Sequence, residues 1–134
     1  MKPIKIFLVE DDTTFVFLAK KTIQSTKIDT NIRVFGDGQE TIDYLKQIAN
    51  HTELLPDIML VDINMPVMDG WEFLNEYNLF RPKLKKDIAL YLVSSSISPF
   101  DIERAKSNNV VSDFLIKPLL KGKFLELFKD CKKI

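Results

Sequence analysis

Short apolar runs recur along the chain, and between them the apolar residues fall at helical spacing. Each run is rich in isoleucine, valine, leucine or aromatic residues and is bounded by turn-forming or charged positions. This pattern is typical of strands that are buried on both faces. The predicted strands are Ile4–Val9, Ile32–Phe35, Ile58–Val61, Ile88–Val93 and Phe114–Ile116.

Helices are predicted between the strands and after the last one. The first begins near Asp12 or Thr13 and has apolar residues at the i, i+3, i+4 and i+7 positions of one helix face. Its stripe consists of Phe15, Leu18, Ala19, Thr22 and Ile23. The other four are predicted over Gln39–Asn50, after Asp69-Gly70, after the Ser98-Pro99 cap, and around Phe124, Leu127, Phe128 and Cys131.

Strict alternation of strands and helices favours an α/β fold. Parallel neighbours need crossover connections, so a doubly wound, five-stranded parallel sheet with helices on both faces is the simplest arrangement. The chain has 134 residues and 46% hydrophobic content, which suits one domain. In such a sheet, ligands bind outside the carboxyl ends of the strands.

Composition narrows the classes of partner and compartment. Nineteen basic and nineteen acidic side chains give a formal charge of zero, so neither nucleic acid nor an anionic membrane is expected as a partner. Cys131 is the only cysteine and cannot form an internal disulfide, and no apolar run reaches membrane-spanning length. A cytoplasmic protein is therefore expected.

Polar side chains follow the strands at the edge where a ligand would bind. Glu10 and Asp11 follow the first strand, Asp62 the third, Ser94 the fourth and Lys117 the fifth. Converging carboxylates repel one another unless a cation joins them, and hard oxygen ligands suit Mg²⁺. A metal, an ammonium, a hydroxyl and an attacking carboxylate can together hold a phosphoryl group.

Four motifs in this order and spacing resemble the receiver domains of bacterial two-component response regulators, including the small single-domain type related to the chemotaxis regulator. The motifs are Val9-Glu10-Asp11-Asp12, Val61-Asp62-Ile63-Asn64-Met65-Pro66-Val67-Met68-Asp69-Gly70, Val93-Ser94-Ser95 and Phe114-Leu115-Ile116-Lys117-Pro118. The resemblance covers nearly the whole chain and implies a flavodoxin-like sheet of order 2-1-3-4-5. Residues 1–134 are then one receiver domain, with no effector domain expected.

The resemblance also implies a chemistry for Asp62. This residue would accept a phosphoryl group from a phosphohistidine on a sensor histidine kinase or a histidine phosphotransfer protein. Mg²⁺ would be held by Asp11, Asp62 and the backbone carbonyl of Asn64, with Glu10 acting through a water molecule. Apart from limited self-phosphorylation by small donors and self-dephosphorylation, no enzyme activity is expected.

The remaining implied roles concern the switch. Lys117 would pair with one phosphoryl oxygen, and Ser94 would hydrogen-bond another. Phe114, where tyrosine is frequent in relatives, would then change rotamer and alter the face formed by the fourth helix, fifth strand and fifth helix. Output would pass to a downstream protein of unknown identity, and the chain would be a monomer or a phosphorylation-dependent dimer.

Two alternatives and several simpler interpretations remain beside this hypothesis. A phosphatase of the haloacid dehalogenase type needs a second aspartate two residues after the nucleophile, and Asn64 occupies that position. A pseudo-receiver that only binds partners would not need the five polar residues at the strand ends. Asp12 is predicted to be a helix N-cap, and Asp69-Gly70 to form a turn and helix start. His51 is expected at the surface, which places the donor histidine on another protein.

Overall fold

The computed structural model describes residues 2–96 and 98–132, with Lys132 described by its backbone alone. Of the domain predicted over 1–134, Met1, Ile97, Lys133 and Ile134 therefore lie outside the described residues. The strands are β1 Ile4–Val9, β2 Thr30–Phe35, β3 Ile58–Asp62, β4 Ala89–Ser94 and β5 Val111–Ile116. The helices are α1 Thr13–Ser25, α2 Gly38–Ile48, α3 Gly70–Phe80, α4 Pro99–Lys106 and α5 Lys121–Lys132, with single 3₁₀ turns at Thr52–Leu54 and Arg81–Lys83.

The five strands form one parallel sheet in the order β2-β1-β3-β4-β5, which confirms the predicted flavodoxin-like fold. β3 lies at the centre, and every residue of it is buried. The edge strands are longer than predicted: β2 begins at Thr30 and β5 at Val111. Edge strands expose part of their surface, so polar residues near their starts, such as Asn31 of β2 and Asp113 of β5, interrupt the apolar run on which the prediction relied.

Two apolar layers cover the sheet, one on each face. The layer under α2, α3 and α4 contains Phe73 and Tyr77, and the layer under α1 and α5 contains Phe15 and Phe124. The chain between the strands thus supplies both faces, as the alternating pattern predicted. In the part of the chain that the structure describes, no helix combines the length and apolar character needed to cross a bilayer.

The prediction that Leu18 belongs to the buried face of α1 is wrong. The helix buries Phe15, Ala19 and Ile23, whereas Leu18 is 54% exposed. Successive helical residues are about 100° apart, so Leu18 points well away from Ala19, which lies at the middle of the buried face. The buried face of α1 is therefore narrower than predicted, because it excludes the i+3 position Leu18.

The helix starts follow the expected capping chemistry. Asp12 accepts hydrogen bonds from the backbone N–H groups of Thr14 and Phe15, at 2.9 and 3.2 Å. Asp69 forms a reciprocal capping box with Glu72, and Ser98 accepts a bond from the N–H of Asp101. These contacts confirm the predicted N-caps. α2 ends at Ile48 rather than Asn50.

Candidate functional site

Three carboxylates converge where β1 and β3 end. Asp62 is the last residue of β3 and is only 5% exposed, and Glu10 follows β1 at 3% exposure. Asp11 is exposed beside them, and one carboxylate oxygen from each residue lies within 4.8 Å of the others. Because β1 and β3 are neighbours in the sheet, their carboxyl ends bring these side chains together. The structure therefore assembles the acidic cluster that the sequence predicted.

The pKa of Glu10 reflects the free-energy cost of ionising a carboxyl group in this cluster. Burial raises the pKa of Glu10 from its ordinary value of 4.5 to about 7. The hydrogen bond from Lys117 opposes this shift, whereas the neighbouring Asp62 adds to it. A cation close to these oxygens would favour the ionised carboxylates, so the cluster suits a bound metal ion.

Lys117 bridges two of the carboxylates. Its backbone N–H donates to the carbonyl of Ser94 at 2.8 Å, which fixes it beside the end of β4. Its Nζ lies 2.7 Å from Oε1 of Glu10 and 3.6 Å from Oδ1 of Asp62. The same ammonium lies over the ring of Phe15, 4.4 Å from the ring centroid. Lys117 is thus a mostly buried cation with the acidic cluster on one side and an aromatic ring on another.

Ser94 ends β4, the strand beside β3, and is 1% exposed. Its Oγ accepts a hydrogen bond from the N–H of Ser96 at 3.2 Å and lies 3.4 Å from the hydroxyl of Ser96. The hydroxyl therefore stabilises its own loop. Phe114 lies on β5 and is half-buried, packed against the apolar layer that includes Ala105 of α4.

The loop after Asp62 is shaped by close backbone contacts. Asn64 is exposed in this loop. Val67 has a φ of 66°, a strained conformation for a β-branched residue. The N–H of Gly70 donates to the carbonyl of Ile63 at 2.8 Å. A Cβ at Gly70 would lie 2.9 Å from the carbonyl oxygen of Asp62 and 2.8 Å from the Cα of Ile63.

Two residues of this region have contacts that the sequence interpretation missed. Phe15 was predicted only as part of a buried helix face, and its contact with Lys117 joins positions far apart in the chain. Gly70 was predicted only to start a helix, although the Asp-Gly pair was a signal for close backbone approach. The surface position predicted for His51 is confirmed by its 59% exposed side chain.

Comparison with known proteins gives the class to which this fold belongs. A family model for the response regulator receiver domain matches residues 6–129. The fold and the matched model define a signalling domain of two-component systems. The chain belongs to the response regulator receiver domain family.

Individual relatives agree with this assignment. The probable methanogenesis regulatory protein FilR2 of Methanothrix harundinacea is 32% identical over 87% of this chain and 74% of its own length. A two-component response regulator from Cytophaga hutchinsonii has a TM-score of 0.89 at 27% identity, with both chains fully covered. The phosphorylated cyanobacterial phytochrome response regulator RcpA has a TM-score of 0.76 at 28% identity, over 98% of this chain and 93% of its own.

Proposed function

We propose that Asp62 is the phosphoacceptor of this receiver domain. The observation that carries the proposal is the buried carboxylate at the end of the central strand, 3.6 Å from the ammonium of Lys117. Ordinary loop carboxylates stay in water, because burial without a partner is costly. The phosphorylated state of the related RcpA supports the same chemistry. The donor is a phosphohistidine of a sensor histidine kinase or a histidine phosphotransfer protein.

The donor set of the acidic cluster fits Mg²⁺. Asp11, Asp62 and the backbone carbonyl of Asn64 would hold the ion, and Glu10 would act through a water molecule. All of these donors are oxygens, which Mg²⁺ prefers. Burial raises the pKa of Glu10, and a cation among the three carboxylates would offset that cost of ionisation. When bound, the ion supplies charge that offsets the carboxylates and the incoming phosphoryl oxygens.

The side chains of this protein carry the transfer itself. An oxygen of Asp62 attacks the phosphorus atom, forming a P–O bond while the P–N bond to the donor imidazole breaks. Lys117 leaves Glu10 and pairs with a phosphoryl oxygen, a short movement because its Nζ already lies 3.6 Å from Asp62. Ser94 exchanges its contact with Ser96 for a hydrogen bond to another phosphoryl oxygen. Hydrolysis later returns the carboxylate and releases inorganic phosphate.

Output passes through the face formed by α4, β5 and α5. β5 is an edge strand, and Phe114 on it is only half-buried, so this side chain can change rotamer without opening the central core. The movement of Ser94 toward the phosphoryl group displaces the loop that connects β4 to α4. The altered face binds a downstream protein or a second phosphorylated copy of the chain.

Phosphorylation by a small-molecule donor tests the assignment. The protein is incubated with acetyl phosphate and Mg²⁺, and its intact mass is measured before and after base treatment. Wild type should gain one base-labile phosphoryl group, and Asp62→Asn should gain none. Asp57→Asn is a matched control, because Asp57 precedes the same strand and is also ion-paired, at 2.8 Å from Lys86, but lies at the opposite end.

The same experiment tests the pseudo-receiver alternative, and turnover of a phosphate ester tests the phosphatase alternative. A pseudo-receiver would show no mass gain in wild type under conditions that label a known receiver. A gain that persists in Asp62→Asn would place the phosphoryl group elsewhere and refute the proposal. A haloacid dehalogenase-type phosphatase would turn over phosphate esters, and Asn64 leaves its general acid position without a carboxyl group.

A further inference from the structure

The ring of Phe15 is the third partner of the Lys117 ammonium. The Nζ atom lies 4.4 Å from the ring centroid, within the range of a cation–π interaction. Phe15 is 9% exposed and belongs to the apolar layer under α1 and α5. Such a contact is stronger in a desolvated setting than at the surface, and the side chain of Lys117 is only 14% exposed.

The backbone of Phe15 is itself held in place. Its N–H donates to Oδ1 of Asp12 at 3.2 Å, so the N-cap that starts α1 also fixes the first turn from which the ring projects. Lys117 is fixed from the other side by its backbone bond to Ser94. The ring and the ammonium are therefore presented to each other by two separately anchored backbones.

We propose that Phe15 is a positioning residue that holds the Lys117 ammonium over the phosphorylation site. This inference rests on the proposed function of Asp62 and Lys117. A lysine has four rotatable side-chain bonds, and salt bridges to Glu10 and Asp62 alone would let the ammonium shift between the two carboxylates. The ring face adds a partner that does not change when Asp62 gains a phosphoryl group. The ring of Phe15 thereby limits how far the ammonium can move, so that the ammonium stays beside Asp62 as it shifts from Glu10 to a phosphoryl oxygen.

Fluorinated phenylalanines at position 15 provide the sharpest test. Fluorine withdraws electron density from the ring face while the ring keeps nearly the same shape, so a series with increasing fluorination weakens the cation–π contact stepwise. The rate constant for phosphorylation of Asp62 by acetyl phosphate should fall stepwise along the series. The most fluorinated variant should be phosphorylated roughly three- to tenfold more slowly than wild type. Phe15→Leu, which removes the ring, should show the same loss of rate. Phe15→Trp should restore most of the rate.

Two controls separate positioning from packing. Phe128→Leu removes a ring from the same apolar layer, where Phe128 is 1% exposed, so it should lower stability without slowing phosphorylation. In a Lys117→Ala background, Phe15→Leu should have no further effect on the rate, because the cation through which it acts is gone.

The outcomes distinguish this inference from the proposed function. If wild type is not phosphorylated, the assignment of Asp62 fails first. If wild type is phosphorylated but the rate is flat across the fluorinated series, Phe15 has no positioning role. An undiminished Phe15→Leu effect in the Lys117→Ala background would likewise overturn the inference.

Discussion

α3 and α4 follow neighbouring strands that end at the same site, yet they are held very differently. α3 follows Asp62 and buries Gly70, Phe73, Leu74, Tyr77 and Phe80. α4 follows Ser94, has eight residues against the eleven of α3, and of its described residues only Ala105 is buried. A fully buried large apolar side chain contributes about 1.5–3 kcal/mol, so α3 is anchored by several kcal/mol more than α4.

The difference indicates which part of the site is fixed and which can move. The backbone at Asp62 is held by a clamp, which is the close packing of Gly70 against Asp62 and Ile63. Gly70 begins α3, a helix that is capped and well packed. Among the described residues, the hydroxyl of Ser94 contacts Ser96 of its own loop. The helix that follows this loop buries little apolar surface, so a shift of α4 costs little free energy. Under the proposed function, a phosphoryl group at Asp62 would shift such a weakly held element with a few kcal/mol of new contacts.

The largest expected effect tests the packing of the two helices. Phe73→Ala should lower the free energy of unfolding by about 3–5 kcal/mol, because Phe73 is fully buried and its removal leaves a cavity. Phe100→Ala on α4, where the ring is 73% exposed, should change it by less than about 0.5 kcal/mol. Urea unfolding followed by circular dichroism measures both, and equal losses would contradict the comparison.

The next effect concerns the clamp on Asp62. Gly70→Ala should cost about 1–3 kcal/mol and slow phosphorylation, since the added methyl group would press on the backbone of Ile63 and Asp62. Gly122→Ala in α5 is the matched control, because a Cβ there meets nothing within 4 Å. That change should stabilise the helix by about 0.5–1 kcal/mol and leave phosphorylation unchanged. Similar behaviour of the two variants would argue against the clamp.

Glu10 predicts a pH dependence of stability in the fixed region. Its folded pKa of about 7 lies above the ordinary value of 4.5, so between these values the folded state binds more protons than the unfolded state. The contribution of Glu10 to stability therefore falls as pH rises through that window, by an amount on the order of 1–3 kcal/mol in metal-free protein. Glu10→Gln should remove this component, while Glu76→Gln at an exposed position of α3 should keep it.

This pH dependence is tested by measuring the free energy of unfolding from pH 4 to pH 8 with a chelator present. Added Mg²⁺ should recover stability mainly at the upper end, where Glu10 is ionised and the acidic cluster carries its full charge. A metal-free stability that rises through the same window, and does so equally in both variants, would contradict the role of Glu10.

The smallest effect concerns a cation–π contact between the two helices. The guanidinium of Arg104 on α4 lies 4.2 Å from the ring centroid of Trp71, the only tryptophan, in the first turn of α3. Arg104→Ala should cost less than about 1 kcal/mol. If phosphorylation moves α4, Trp71 emission should change in wild type and change much less in Arg104→Ala. Lys106→Ala, an exposed cation in the same last turn, should behave as wild type.

The sequence predicted the parts of the molecule that depend on local pattern. Apolar runs located all five strands, and the order of elements implied the edge at which Glu10, Asp62 and Lys117 meet. Helix starts at Asp12, Asp69 and Ser98 followed from capping chemistry that involves only neighbouring residues.

Features that depend on distant residues were out of reach. The exposure of Leu18 reflects which arc of α1 meets the sheet, and the extra length of β2 and β5 reflects their place at its edges. The contact between Phe15 and Lys117 joins a helix to the opposite end of the chain. Nothing in the local pattern indicates how few residues of α4 are buried.

The central claim is that Asp62 carries the phosphoryl group, and mapping the modified residue tests it most directly. Protein treated with acetyl phosphate and Mg²⁺ is reduced with borohydride, which converts an aspartyl phosphate to homoserine, and its peptides are sequenced by mass spectrometry. The account predicts homoserine at position 62, dependent on both the donor and Mg²⁺. Homoserine at another aspartate with position 62 unmodified, or no conversion while a known receiver is converted in parallel, would contradict it.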